Sequence, residues 1–100
     1  MDVFADGRTL VLSGAFDARS TMQVRTAIYE LLEGHDEDVV VDLTGVDLID
    51  MTALKVLAVA TVEASRAGHH LRLRGAGPAV RRLLAKSRLI RVVELERLPA

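Results

Sequence analysis

The stretch Val39-Val40-Val41-Asp42-Leu43-Thr44-Gly45-Val46-Asp47-Leu48-Ile49-Asp50 decides the fold of this chain. Its first five residues, VVVDL, are almost all apolar and β-branched, the pattern of a strand buried within a sheet. Thr44-Gly45-Val46-Asp47 predicts a turn, and Asp50 stands where a side-chain oxygen can cap a helix from Met51 to about Ala67. Gly68 then supplies a stop. A strand followed at once by a capped helix is half of a β-α-β unit. Leu71–Arg74 (LRLR) supplies the second strand, and its strict alternation shows one face to solvent.

The same alternation of elements extends in both directions. Thr9 to Ser13 (TLVLS) is a short strand between Gly7 and Gly14, with room for an edge strand before it over Met1–Ala5. Ser20-Thr21-Met22-Gln23 has the spacing of a capping box. Met22, Ala27, Ile28, Leu31 and Leu32 follow at helical spacing to Gly34, and an acidic loop His35-Asp36-Glu37-Asp38 leads to the central strand. Downstream, Gly77-Pro78 opens a third helix whose Ala79, Leu83 and Leu84 are expected to face inward until Lys86-Ser87. Val92–Leu95 is expected as a last strand. The order (β)β-α-β-α-β-α-β predicts an α/β fold: a small mixed sheet of about four to five strands with helices packed on it. The Val39 strand should be central, with parallel neighbours joined by right-handed crossovers.

Composition bounds the rest. The chain has 100 residues, 50% hydrophobic, 27% charged and 3% aromatic. That is one globular domain's worth of chain, read as a single domain over residues 1–100. With no cysteine there is no thiolate nucleophile, disulfide or cysteine-bound zinc. The start MDVFADGRTL lacks the basic flank and apolar centre of a secretory leader, so the expected compartment is the cytoplasm. The most apolar run, Met51–Val62, is shorter than the roughly 20 residues of a membrane span and contains Lys55, so no direct membrane insertion is expected. The net charge of -1 hides a split: residues 1–50 carry 11 acids and 3 bases, residues 51–100 carry 3 acids and 10 bases. Such polarity points to a surface with a preferred partner charge.

No arrangement of residues reads as an active site, and the chain is not expected to be an enzyme. Asp42, Asp47 and Asp50 fit no calcium-loop spacing and are explained as a strand residue, a turn residue and a helix cap, so no metal is expected. His69 and His70 are neighbours in an extended segment and point apart, and His35 stands alone, so all three read as surface histidines. Gly75-Ala76-Gly77 lacks the third glycine of a dinucleotide loop and Pro78 removes a donor, so no cofactor is implied. Arg81, Arg82, Lys86, Arg88 and Arg91 form a basic run, but the only aromatics are Phe4, Phe16 and Tyr29, which argues against nucleic acid. The Met51 helix is the informative element. Ala53, Leu54, Leu57, Ala58, Thr61 and Ala64 can face the sheet, leaving Lys55, Val56, Val59, Val62 and Arg66 outward as an apolar stripe edged by charge.

Val39 to Asp50 resembles the central strand and following segment of STAS domains, the fold of bacterial anti-sigma factor antagonists. Leu12-Ser13-Gly14-Ala15-Phe16-Asp17 is similar to that family's Leu-x-Gly-Glu-Leu-Asp segment, with Ser20 near its usual threonine. Gly75 to Leu84 and Ser87-Arg88-Leu89 resemble its last helix and following turn, and the match runs from about residue 9 to 96. The resemblance implies a regulatory binding protein that docks an anti-sigma factor or kinase-like partner through Asp17, Ser20, Asp50, Met51, Thr52, Lys55, Val56 and Val59. In that branch a serine or threonine directly after the motif aspartate is phosphorylated. Here that position is Met51, the motif glycine is Ala53, the glutamate after Gly14 is Ala15 and the glycine of Ser-Gly-Leu is Arg88. Thr52 is then the nearest hydroxyl for phosphorylation. The family also implies an alternative role, a small cytoplasmic subunit of an ABC-type lipid transport complex contacting its ATPase, which needs no phosphoacceptor. The acids of the first half lie on the proposed docking edge, which predicts a basic-rimmed protein partner.

Overall fold

Apolar residues at every second position of the inner strands build the core side of one sheet. The computed structural model describes residues 1–34 and 37–96. The strands are β1 (Asp2–Asp6), β2 (Thr9–Phe16), β3 (Val39–Ile49), β4 (Leu71–Arg74) and β5 (Glu94–Leu95). They lie in the order β1-β2-β3-β4-β5, so the Val39 strand is central as expected. β1 runs antiparallel to β2, and the other neighbours are parallel. Leu10 stands beside Val41, Val39 beside Leu71 and Val41 beside Leu73. With Leu12, Phe16 and Leu43 they form a buried apolar layer. Each such side chain, fully removed from water, stabilises the fold by roughly 1.5–3 kcal/mol before entropy is counted.

Three helices, α1 (Thr21–Gly34), α2 (Met51–Arg66) and α3 (Pro78–Ser87), complete the core. α1 contributes Val24, Ile28 and Leu31, and α3 contributes Val80 and Leu84. α2 buries Ala53, Leu54, Leu57, Ala58, Ala60, Thr61 and Ala64, the sheet-facing set expected from spacing plus Ala60. The Thr61 hydroxyl donates to the Leu57 carbonyl at 2.8 Å, so its burial leaves no orphan. The opposite face of the sheet is only partly covered and carries the charge. Asp38 pairs with Arg72 at 3.0 Å, Glu96 with Arg74 at 2.5 Å, and Glu94 with His70 at 2.9 Å. The first of these joins an acid of the acidic half to a base of the basic half, and the other two lie within the second half.

Several expectations need correction. Thr44–Asp47 is not a turn, because β3 continues to Ile49 and β2 runs on to Phe16 beside it. Gly45 permits this: a Cβ there would sit 2.9 Å from the Ser13 Cβ. The pairing is irregular between Val11 and Ser13 and again between Gly14 and Ala15. At the other end, Leu89–Arg91 forms a 3-10 turn, and Val92 and Val93 both donate to the Leu89 carbonyl, at 2.9 and 3.0 Å. The last strand is therefore Glu94–Leu95 alone. In α3, Ala79 is exposed and Val80 is buried, one position out of the expected phase. In α1, Met22 is exposed and Val24 takes the inward position. His35 and Asp36 of the acidic loop lie outside the described residues.

Candidate functional site

Asp50 joins two segments distant in sequence. Its Oδ1 accepts from Ala53 N at 2.8 Å, capping α2 as expected, while Oδ2 accepts from Ala18 N at 3.0 Å. One carboxylate therefore starts α2 and draws in the loop after β2. Within that loop Asp17 accepts from the Arg19 guanidinium at 2.8 Å and from its backbone N–H at 3.0 Å. The Arg19 side chain, followed by its backbone N–H, holds the Asp17 carboxyl below the usual carboxylate range. Ser20 is buried, and its hydroxyl donates to the Ala15 carbonyl at 3.3 Å. The serine ties the end of β2 to the start of α1, in place of the side-chain cap that the spacing suggested.

At the start of α2, Met51 is half-buried against the core and Thr52 is exposed. Lys55 and Val59 are exposed and Val56 is half-buried, so the stripe faces outward, with Val59 at 52% exposure. Thr52, Lys55, Val56 and Val59 line one open cleft of about 420 Å³, whose other wall is Arg25 and Tyr29 of α1. The Arg25 guanidinium lies 5.2 Å from the centre of the Tyr29 ring, within cation–π range. Burial, then a hydrogen bond with Glu63, pushes the Tyr29 hydroxyl up from its ordinary value. Asp17 and Ser20 do not line this cleft. They border a separate polar depression with Met1, Ala15, Arg19 and Gln23.

Arg25 and Tyr29 line the candidate site, and the sequence does not reveal this. Their spacing of four places them on one face of α1, but nothing in the chain says that this face meets α2. The acids expected beside the stripe do not line the cleft. Asp17 is held by Arg19, Asp50 by two backbone donors, and Asp42 Oδ1 by Thr44 N at 2.9 Å and Thr44 Oγ1 at 2.6 Å. Asp42 and Asp50 lie about 25 Å apart by strand rise, so these acids form no cluster. Among the described residues, no group of three or more His, Cys, Asp or Glu side chains is placed to hold a metal ion. His69 donates its backbone N–H to Ala64 O at the end of α2, and His70 faces Glu94. No helix among the described residues is long and apolar enough to cross a membrane.

Five strands and three helices in this order, with a cleft beside the helix that follows the central strand, define a STAS-type fold. The sequence matches the family model described as Mlab, STAS domain over residues 3–95, and the chain belongs to the STAS domain family. Solved structures are similar along most of the chain. One is an anti-sigma factor antagonist from Mycobacterium paratuberculosis, with TM-score 0.77 and 22% identity over 96% of this chain and 83% of that one. The Bacillus cell fate determinant SpoIIAA in its phosphorylated form gives TM-score 0.68 and 16% identity over 96% and 90%. A sulfate transporter family protein from Wolinella succinogenes gives TM-score 0.67 and 17% identity over 84% and 68%. At these identities the likeness is one of fold. No curated protein matches the sequence significantly.

Proposed function

We propose that this chain is a non-catalytic regulatory binding module that docks a protein partner through the outward side of α2. The observation that carries this reading is the convergence of Thr52, Lys55, Val56 and Val59 on one cleft. An apolar floor with charged edges is the composition of a protein-docking surface. Asp50 and Met51 set the position of that surface, and Asp17 and Ser20 shape the loop beside it.

Two partner classes follow from the family. In the antagonist-like reading the partner is an anti-sigma factor or kinase-like protein. Its off-switch then has to act at Thr52, because Met51 has no hydroxyl and a phosphate on Thr52 would bring about two negative charges to the cleft. In the second reading the partner is the ATPase of an ABC-type transport complex. Met51 favours this second class, since a permanent subunit needs no phosphoacceptor.

One set of binding measurements tests both classes. Tagged protein is mixed with a candidate anti-sigma kinase and, separately, with a candidate transport ATPase encoded nearby, and complexes are quantified. One of them should bind, and Val59→Asp should weaken that complex at least about tenfold, with the fold retained by circular dichroism. Phosphate at Thr52 after incubation with ATP and the kinase, absent in Thr52→Ala, selects the antagonist class. Undiminished affinity in Val59→Asp removes the proposed face.

A further inference from the structure

We infer that the α1–α2 cleft accepts an apolar protein segment flanked by carboxylates, an acidic partner segment where the sequence had suggested a basic one. The inference rests on the docking face proposed above and adds the chemistry of its occupant. The charges that line the cleft are Arg25 and Lys55, both exposed, and neither forms an ion pair with a described residue. Arg25 lies over the Tyr29 ring and shares a hydrogen bond with its hydroxyl, and a guanidinium has further N–H donors that a carboxylate can use. Thr52 lies in the first turn of α2, whose positive dipole end is met by the Asp50 carboxylate, so the charge of the cleft lining is set by Arg25 and Lys55.

No acid is among the side chains that line this cleft; Asp50, the cap of α2, stands just before it with both carboxylate oxygens engaged by the backbone N–H groups of Ala53 and Ala18. The nearest acid along α2 is Glu63, hydrogen-bonded with Tyr29. It lies about 12 Å beyond Lys55 along the helix. The cleft lining is therefore basic at Arg25 and Lys55 and apolar along Val56 and Val59. Beyond Val59 a second depression of about 300 Å³ runs between Val62 and the Leu89–Val92 segment, mostly apolar and bordered by one charge of each sign, Glu63 and Arg66. Two depressions sharing Val59 make a track longer than one compact ligand requires, which favours a protein segment over a small amphipathic anion.

Two synthetic helical peptides with the same Leu/Val face, one flanked by glutamates and one by lysines, are the probes. Binding to the full chain is read by fluorescence anisotropy at low salt. The glutamate peptide should bind at least about tenfold more tightly, and the difference should shrink with added salt. Arg25→Glu combined with Lys55→Glu should reverse the preference, and Val59→Asp should remove binding of both peptides. Equal binding of the two, a lysine preference, or no binding of either overturns the inference. So does displacement of the peptide by decanoate at comparable concentration, which would assign the cleft to a small anion. Equal binding that is still lost in Val59→Asp overturns the charge assignment alone and leaves the docking face standing.

Discussion

Arg88 ends α3 in the left-handed region, at φ 65°, where the family's Ser-Gly-Leu pattern has glycine. A side chain there crowds the following carbonyl by about 1–2 kcal/mol. The turn is held instead by its neighbours. Ser87 Oγ donates to Leu83 O at 2.8 Å, and Arg88 N donates to Ala85 O at 3.2 Å. Arg88→Gly should therefore raise stability by about 0.5–1 kcal/mol, the relief of strain exceeding the added freedom of the unfolded chain. Urea unfolding at 25 °C measures it, and a lower midpoint would mean that the arginine side chain stabilises the turn by more than the strain. This departure is visible in the sequence once the motif is recognised. The roles of Asp50 are half visible: its position before an apolar run identifies the cap, but its bond to Ala18 N joins residues 32 apart and needs the folded chain.

At the scale of the element, α2 divides between a buried face of alanines with Leu54, Leu57 and Thr61 and an outer face with valines. Ala53, Ala58, Ala60 and Ala64 are buried and let the helix lie close to its neighbours. Val56, Val59 and Val62 turn outward, with α1 beside the first two and the Leu89–Val92 segment beside Val62. Ala60→Leu should cost about 1–3 kcal/mol, because a close-packed interior must shift to admit three more carbons. Val59→Leu, one residue away, should change stability by less than about 0.5 kcal/mol. Thermal melts of the two variants provide the comparison, and equal melting temperatures would show that α2 has slack on its inner face. The inner and outer residues of this helix are legible because a 3.6-residue period sorts them without knowledge of the fold. Strand ends are not. Nothing local distinguishes Thr44–Asp47 from a turn, and only the presence of β2 alongside extends β3 through it.

Across the whole molecule, part of the charge split is neutralised on one face of the sheet. Asp38 is held below the usual carboxylate range first by the His70 backbone N–H and then by Arg72, and Glu96 is held down by Arg74. A carboxylate whose pKa is lower in the folded state contributes stability that is complete above its unfolded value of about 4. That contribution is lost as pH falls through the lower folded value. The urea midpoint should therefore decline on acidification below about pH 4. The decline should be shallower in Asp38→Asn and Glu96→Gln. A wild-type midpoint flat down to pH 3, or an unchanged slope in both variants, would contradict this role. Arg25 and Lys55, which take no part in these pairs, are the charged side chains that line the cleft.

Residue pattern alone determined the order of elements, the central position of the Val39 strand, the cap at Asp50 and the outward stripe of α2. These are short-range properties, set by period, capping chemistry and β-branching within a few residues. Tertiary structure decided which charges remain available and what stands opposite the stripe. Arg25 and Tyr29 reach Lys55 and Val59 only when α1 and α2 pack together, and Asp38 meets Arg72 only when β3 and β4 lie side by side. Charge along a chain adds up residue by residue, whereas charge at a surface depends on which partners folding brings within a few ångströms.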